Sequence, residues 1–378
     1  MLKIDSNILK KIIVSDNLFN GGVVTPIESK FIAEFKIKNK FYYCLINNPE
    51  LQQTQSKIIE EILSKIELNN SAYAFISGKS YLDFFEPHVG NYNFLRIDIK
   101  NFFHSIDVEQ LKNMLSHYFK DEFIDTNKKQ KLITTLINIV TLKIPSSSKN
   151  QEYRGRTILP IGFMTSPVLS NIYMRDFDIK IQDFCTRHDI TYSRHADDML
   201  FSSSRESEFI FSETFIKEAS ILLSLKKLQI KNSKTIKKRH TISLNGYTIS
   251  NSKFVDGKTI TAPEFRISNK KTIILKKFLL LSKKENITAR EIMESLFSFK
   301  KENYKFLYKP NRIFLESYCR TLLINKITGY RSYLISIIKH GQKYNTIHES
   351  TVKKYQSLLL EINNYLDKNP SIDYSKRK

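Results

Sequence analysis

The 378-residue sequence has no tryptophan, only 10 glycines and 9 prolines, and three cysteines. So little glycine and proline excludes collagen-like repeats and Pro/Gly-rich low-complexity chains. Cys44, Cys185 and Cys319 are odd in number, far apart and without CxxC spacing. That pattern argues against a disulfide scaffold and a zinc site, and it suits a reducing compartment. Long hydrophobic runs are also missing. In the C-terminal third the longest purely apolar stretch is Phe278-Leu279-Leu280-Leu281, far short of the roughly 20 residues a membrane span needs. Met1-Leu2-Lys3-Ile4-Asp5 lacks the apolar segment of a secretory signal. The expectation is a cytoplasmic protein with no membrane partner.

Acidic residues are scarce relative to basic ones, 38 against 60, for a formal charge of +22. The excess is uneven. Residues 268–378 hold 23 Lys/Arg and 9 Asp/Glu, a net +14, which leaves +8 for the rest of the chain. Compositional drift would spread evenly. A basic segment interleaved with Tyr and Phe points to a polyphosphate partner, although a solvated helical surface has the same composition. What the chain does have is 41% hydrophobic residues, enough for a large core or for several sub-domains.

Hydrophobic spacing predicts a helix over 51–66, with Ile58, Ile59, Ile62, Leu63 and Ile66 on one face. Residues 31–46 read as a hairpin broken at Asn39-Lys40. Phe94–Ile99 reads as a buried strand. The helix after it has Asp107 as N-cap, Gln110 as capping-box partner, and a stripe of Leu111, Met114, Leu115 and Tyr118. Residues 145–157 read as a loop, 159–162 as a turn, and Thr165-Ser166-Pro167 as a helix start. Two short strands, 190–194 and 199–202, flank His195-Ala196-Asp197-Asp198, and a helix comes next over about 208–225. Asn245-Gly246, between 241–244 and 247–250, is a strong hairpin signal. From about 270 the pattern is helical. The order predicts a mixed α+β protein with a helical C-terminal third.

Asp98 at a strand end and Asp197-Asp198 at a hairpin tip are the residues with chemistry. Adjacent carboxylates repel, and a divalent cation relieves that repulsion. Hard oxygen ligands suit Mg²⁺, which takes phosphate oxygens as further ligands. Two such ions can activate a hydroxyl and stabilise a leaving pyrophosphate. Side chains alternate along a strand, so Asp98 and Asp197 are the expected ligands, with Asp198 in support. On their own, the three residues are equally readable as turn and cap carboxylates.

The surrounding motifs separate these readings. Leu95–Ile106, Leu159–Asn171, Tyr192–Asp198, Asn232–Thr235 and Leu244–Tyr247 occur in the order and spacing of reverse transcriptase motifs. The chain resembles the bacterial retron, group II intron and phage-defence class from about residue 30 to about 340. Ala74-Phe75 through Lys79-Ser80, and His88, resemble the retron-like stretch between fingers and palm. Thr328–Arg331 resembles a glycine-containing helix start of the thumb. The resemblance implies a right-hand polymerase. Its fingers and N-terminal region would span 1–93. A palm would span 94–267, with an interleaved fingers segment at about 108–160, and a basic helical thumb and tail would span 268–378.

Carried over residue by residue, the resemblance implies that Asp98, Asp197 and Asp198 are catalytic. Asp98, Asp197 and the Ile99 carbonyl would hold two Mg²⁺. Phe103 would be the steric gate against a ribose 2′-hydroxyl; one of Phe102 and Phe103 is expected in the core. Gly162 would let backbone approach the nucleotide. Lys234 would face the triphosphate, although a solvated lysine fits the sequence nearly as well. His195, Asn245 and Gly246 would contact primer and template. Three departures stand out: His195 where the family has Tyr, Ile161 where it has Gln, and no Arg across Lys40–Ile46, where Lys36, Lys38 or Lys40 is the candidate replacement.

The implied activity is RNA-directed DNA polymerisation from deoxynucleoside triphosphates. A dedicated noncoding RNA would be the template and DNA the product, in antiphage defence. The three departures suggest an unusual relationship to the template. Only about 40 residues lie beyond the thumb motifs, so no maturase, endonuclease or ribonuclease H domain is expected. Two other readings stay open: a retron enzyme making branched RNA-linked DNA, and a catalytically silent RNA-binding scaffold. Priming mode, self-association and any partner protein are open.

Overall fold

The computed structural model describes residues 3–370 except 15–17, 21–22, 126, 252, 256–257, 262, 305 and 307–308. Met1-Leu2 and the basic tail 371–378 lie outside the described residues. The chain divides into two compact units. The first comprises residues 1–87 and 93–238, and the second 88–92 and 239–378.

The first unit is built on a four-stranded sheet in the order Ile236–Arg239, Asn93–Asp98, Asp198–Ser203, Thr191–His195. The central strand pairs antiparallel with Asp198–Ser203, which forms a hairpin with Thr191–His195. Phe94, Leu95, Ile97, Met199, Leu200 and Phe201 are fully buried, so both faces of the central pair are covered. This is why the sequence shows an apolar run there rather than strict alternation. The helix Ser166–Thr186 packs against Thr191–His195 and against the helix Glu213–Leu225. Pro167 sits in its first turn, where a missing N–H costs nothing.

Arg194 ties this helix to the sheet. Its Nε and one terminal nitrogen donate to the two oxygens of the Asp178 carboxylate, at 2.8 and 2.6 Å. Tyr192 donates its hydroxyl to Asp178 at 2.8 Å. Arg194 and Asp178 are wholly buried, and this pairing with further hydrogen bonds is what makes such burial tolerable. A separate hairpin, Ile32–Ile37 with Lys40–Leu45, turns at Lys38-Asn39. It is held by the Tyr43 N–H on the Ile161 carbonyl at 2.8 Å and by Asn150 on the Tyr43 hydroxyl at 2.9 Å.

The second unit has a three-stranded antiparallel sheet, Thr241–Leu244, Tyr247–Ser250 and Glu264–Ile267. Asn245 and Gly246 both take positive φ, 49° and 90°, as a two-residue hairpin turn demands. After the sheet come the helices Asn269–Leu281, Ala289–Phe297, Arg312–Tyr344 and Glu349–Lys368. Leu315, Cys319, Leu323, Ile327, Leu334 and Ile338 bury one stripe of the 33-residue helix. Among the described residues, no helix is long and apolar enough to cross a membrane.

Several local expectations change. The helix read over 51–66 is Pro49–Glu61, with a separate 3₁₀ turn, Leu63–Lys65, after it. Asp107 caps its helix by accepting from the Gln110 N–H, but the Gln110 side chain reaches Leu225 instead of returning the bond. Tyr118 lies past the end of that helix, Val108–Ser116. Thr157, read as loop, begins a short strand paired with Leu142–Lys143. Thr328–Arg331 does not open a helix; it lies in the middle of Arg312–Tyr344. A Cβ on Gly329 would meet nothing within 4 Å, so no packing constraint calls for glycine there.

Candidate active site

Asp98 ends its strand directly opposite Asp198. Residues in direct register share a face, and Arg96, two positions earlier, shares it too. Between His195 and Asp198 the hairpin turns on Ala196-Asp197 alone. Ala196 has φ +57°, a conformation that costs an L-residue and persists where the surroundings enforce it. Here they do: the Arg194 guanidinium donates to the Ala196 carbonyl at 3.2 Å. The Ile99 N–H donates to the Asp197 carbonyl at 3.0 Å. The two acidic segments, a hundred residues apart in sequence, are therefore joined by sheet register and by one backbone bond at the turn.

Like charges directly across a sheet destabilise it, and three cations answer them. Arg96 Nε donates to Asp198 Oδ1 at 3.0 Å, and its terminal nitrogen contacts the same oxygen. That nitrogen is 3.6 Å from Asp98 Oδ2. Lys234 Nζ is 2.9 Å from Asp98 Oδ2, and Lys40 Nζ is 3.7 Å from Asp197 Oδ2. Asp98 is only 2% exposed. Burial pushes the Asp198 carboxyl above the usual range, the Arg96 charge opposes this, and the charges of Asp197 and Asp98 add to the rise. Of the three lysines proposed to replace a missing arginine, Lys40 is the one whose ion pair with an acidic residue of the site is seen.

The remaining sequence candidates are spread around this cluster and in the second unit. The Phe103 ring lies against Phe102 and Phe75, at 5.3 and 6.2 Å between centroids. Phe102 is in the core and Phe103 is half-buried. His195 is packed by Tyr81 at 4.7 Å, Phe84 at 5.9 Å and Phe75 at 6.3 Å. Burial lowers its pKa, partly offset by the Asp197 charge. Gly162 has φ +120°, and a Cβ there would stand 2.5 Å from the Tyr43 carbonyl oxygen. The close approach of the 40–45 strand therefore demands glycine, with no ligand needed to explain it. Asn245 and Gly246 belong to the second unit. There the Asn245 carbonyl accepts the Tyr333 hydroxyl at 3.0 Å, and the Gly246 carbonyl accepts the Ser268 N–H at 2.9 Å.

Sequence reasoning gave no role to Arg96, Arg194, Asp178 or Asn171. Arg96 was findable, because strand alternation puts it on the Asp98 face. The Asp178–Arg194–Asn171 network was not, because its partners lie on different elements.

The donor chemistry fits a hard divalent cation: the carboxylates of Asp98 and Asp197 and the carbonyl of Ile99 are all oxygen, while Asp198 is committed to Arg96. Among the described residues, no three or more His, Cys, Asp or Glu side chains gather as a ligand cage. The carboxylates are instead turned toward Arg96, Lys234 and Lys40, so the fit is to an ion completed by ligands from outside the chain.

The family profile described as reverse transcriptase (RNA-dependent DNA polymerase) matches residues 47–249, more than half the chain. The retron Ec83 reverse transcriptase of Escherichia coli is 30% identical over 205 residues, covering 54% of this chain and 62% of that protein. The retron Ec73 reverse transcriptase of the same organism is 29% identical over 152 residues, covering 39% and 44%. The matched stretches thus span less than two thirds of these relatives. A telomerase structure from Candida albicans, in complex with a telomeric RNA fragment, aligns at 12% identity with a TM-score of 0.43, covering 93% of this chain and 66% of that one. A likeness this weak does not bear on function. The mixed α+β architecture with antiparallel sheets agrees with a right-hand polymerase fold, and the chain belongs to the reverse transcriptase (RNA-dependent DNA polymerase) family.

Proposed function

We propose that this protein is an RNA-directed DNA polymerase that lengthens a DNA end by nucleotidyl transfer, with fingers at 1–93, palm at 94–267 and thumb at 268–378. The observation that carries the reading is the register that sets Asp98 against Asp198, with the Ile99 N–H on the Asp197 carbonyl. Asp98, Asp197 and the Ile99 carbonyl would hold two Mg²⁺. Bound there, the ions would lower the pKa of the attacking 3′-hydroxyl and neutralise the departing pyrophosphate. Arg96 opposes the burial-driven rise in the Asp198 pKa and holds that carboxylate through its own hydrogen bonds. Lys40 and Lys234 already face the carboxylates and are the cations a triphosphate would recruit. Phe103 would exclude a 2′-hydroxyl, and the Asn245-Gly246 turn would support the primer.

The test is incorporation of labelled deoxynucleotides with Mg²⁺ by the purified protein, beside Asp197→Ala combined with Asp198→Ala. Equal signal from the two proteins would sink the polymerase reading and leave an RNA-binding scaffold. The template we favour is a dedicated noncoding RNA, in antiphage defence within the cytoplasm. His195, Ile161 and the absent arginine favour repeated copying of a short fixed template; faithful copying of long arbitrary RNA would count against this. The curated relatives are retron reverse transcriptases, which supports a second reading in which the DNA stays joined to RNA through a branch. Sequencing the nucleic acid that co-purifies with the protein separates the two.

A further inference from the structure

Phe75 is a phenylalanine with φ +58° and 49% of its surface exposed. Both features are unfavourable. A side chain in the left-handed region strains the backbone, and glycine would adopt it freely. A large ring in water forgoes the benefit of burial. The neighbouring backbone is nevertheless fixed. Ala72 and Ala74 are buried, the Tyr73 N–H donates to the Arg194 carbonyl at 2.9 Å, and Asn171 Nδ2 donates to the Ala74 carbonyl at 2.7 Å. Arg194 also bonds to Asn171 at 3.1 Å and to the Ala196 carbonyl. The network that sets the Ala196-Asp197 turn therefore also sets Phe75.

The ring stands between two residues of the candidate site. Its centroid is 6.2 Å from Phe103 and 6.3 Å from His195, at interplanar angles of 57° and 44°. Those contacts leave half the residue uncovered. A strained, firmly held, half-exposed aromatic beside the gate and the acidic hairpin presents an apolar surface to whatever enters there. Nucleobases stack on such rings whatever their sequence, because every base has a π face.

We propose that Phe75 is a nucleobase-contact residue, whose free surface stacks on a base at the growing end, and that this aromatic surface supplements the small His195 ring. This rests on the polymerase reading for its substrate class. Two sources of the base are distinguishable: the incoming deoxynucleotide, or the primer–template end.

The experiment uses the full chain with Phe75→Gly, Phe75→Ala and Phe75→Tyr. Gly relieves the backbone strain while removing the ring; Tyr keeps the ring. Three quantities are read: KM and kcat for adding one deoxynucleotide to a DNA primer on an RNA template, the Kd of that hybrid by fluorescence anisotropy in EDTA without nucleotide, and Tm. The expected result is a rise of roughly 5- to 100-fold in KM or Kd for Gly and Ala, most of it recovered by Tyr, with the Gly variant melting no lower than wild type. A rise confined to KM assigns the incoming nucleotide, and a rise in Kd assigns the primer–template end. Gly and Ala variants that fold and keep both quantities within twofold overturn the proposal, as does a loss that follows Tm and that Tyr does not recover. If the wild type adds no nucleotide but binds the hybrid, the polymerase reading fails while the anisotropy series still decides the role of Phe75. A wild type that does neither overturns both.

Discussion

Arg96→Met removes the one guanidinium that spans Asp98 and Asp198 while keeping an unbranched apolar stem. It leaves two buried carboxylates in direct register, with Lys234 on Asp98 alone. Truncating one partner of a buried pair costs about 3–5 kcal/mol, because the remaining charge is left uncompensated. Lys234 still serves Asp98, so the lower figure, about 3 kcal/mol near pH 8, is expected. The pH dependence gives the sharper test. Burial already raises the Asp198 pKa and Arg96 opposes that rise, so the variant raises it further. A carboxyl whose folded pKa lies above its unfolded value destabilises the fold above that folded pKa. The penalty fades as pH falls toward the unfolded value, because the folded form takes up the proton first. The deficit relative to wild type should therefore shrink as pH falls from about 8 toward the unfolded carboxyl value. Urea unfolding in EDTA, with Asp198→Asn alone and combined with Arg96→Met, measures it. The double variant should recover at least about 2 kcal/mol of the single-variant loss. A deficit that is constant across this pH range, or additive single variants, would refute the reasoning.

Gly162→Ala places a methyl 2.5 Å from the Tyr43 carbonyl at φ +120° and should cost about 3 kcal/mol of stability from strain and overpacking; a loss below about 1 kcal/mol in urea unfolding would show that the 40–45 strand yields easily. Burial and the Lys40 charge lower the His104 pKa to about 4, so the unfolded chain binds the proton first and stability should fall as pH drops from about 6.5 toward 4, by roughly 3 kcal/mol at about 1.4 kcal/mol per pH unit. His104→Gln, which keeps an acceptor for the Ile161 N–H, should flatten that part of the curve, and an unchanged curve would remove His104 as its cause. Phe103→Ala should raise ribonucleotide incorporation relative to deoxynucleotide; unchanged sugar selectivity would reject the gate.

How much could be read from the sequence depends on how local each signal was. The Asn245-Gly246 hairpin was legible to the residue, since positive φ at two successive positions is a chemical demand of the turn. The meeting of Asp98 with the 197–198 tip was readable from motif order, whereas the pairing of the Asn93–Asp98 strand with Asp198–Ser203 was not, because it joins segments a hundred residues apart. Lys40 could not be chosen over Lys36 and Lys38, because the choice depends on where a remote hairpin docks. The single-residue offset at His195 and Asp198, read as turn but found in strands, shows how short a two-residue hairpin turn can be. Thr328–Arg331 misled because a lone glycine inside a long helix costs only about 1 kcal/mol, which flanking burial at Ile327 and Leu334 outweighs.

Arg96, Asp98 and Asp198 also bear on why the cluster is there at all. Buried ion pairs rarely outperform well-packed apolar residues of similar volume; replacing them is often neutral or stabilising by about 1–4 kcal/mol. Asp98 and Asp198 sit in a sheet whose neighbours Ile97, Met199 and Leu200 are fully buried, so charge at these two buried positions calls for an explanation. If the trio is kept for chemistry, Arg96→Met combined with Asp98→Asn and Asp198→Asn should unfold no more easily than wild type, with a gain in stability of up to about 1 kcal/mol. Lys234 loses its partner in that variant, but its side chain is 40% exposed and water replaces the carboxylate cheaply. The same protein should incorporate no nucleotide. Stability and activity would then move in opposite directions, as expected where a site carries strain for function. A triple variant less stable than wild type by more than about 2 kcal/mol would mean instead that the charges hold the sheet together, and that the carboxylates alone are no sign of catalysis.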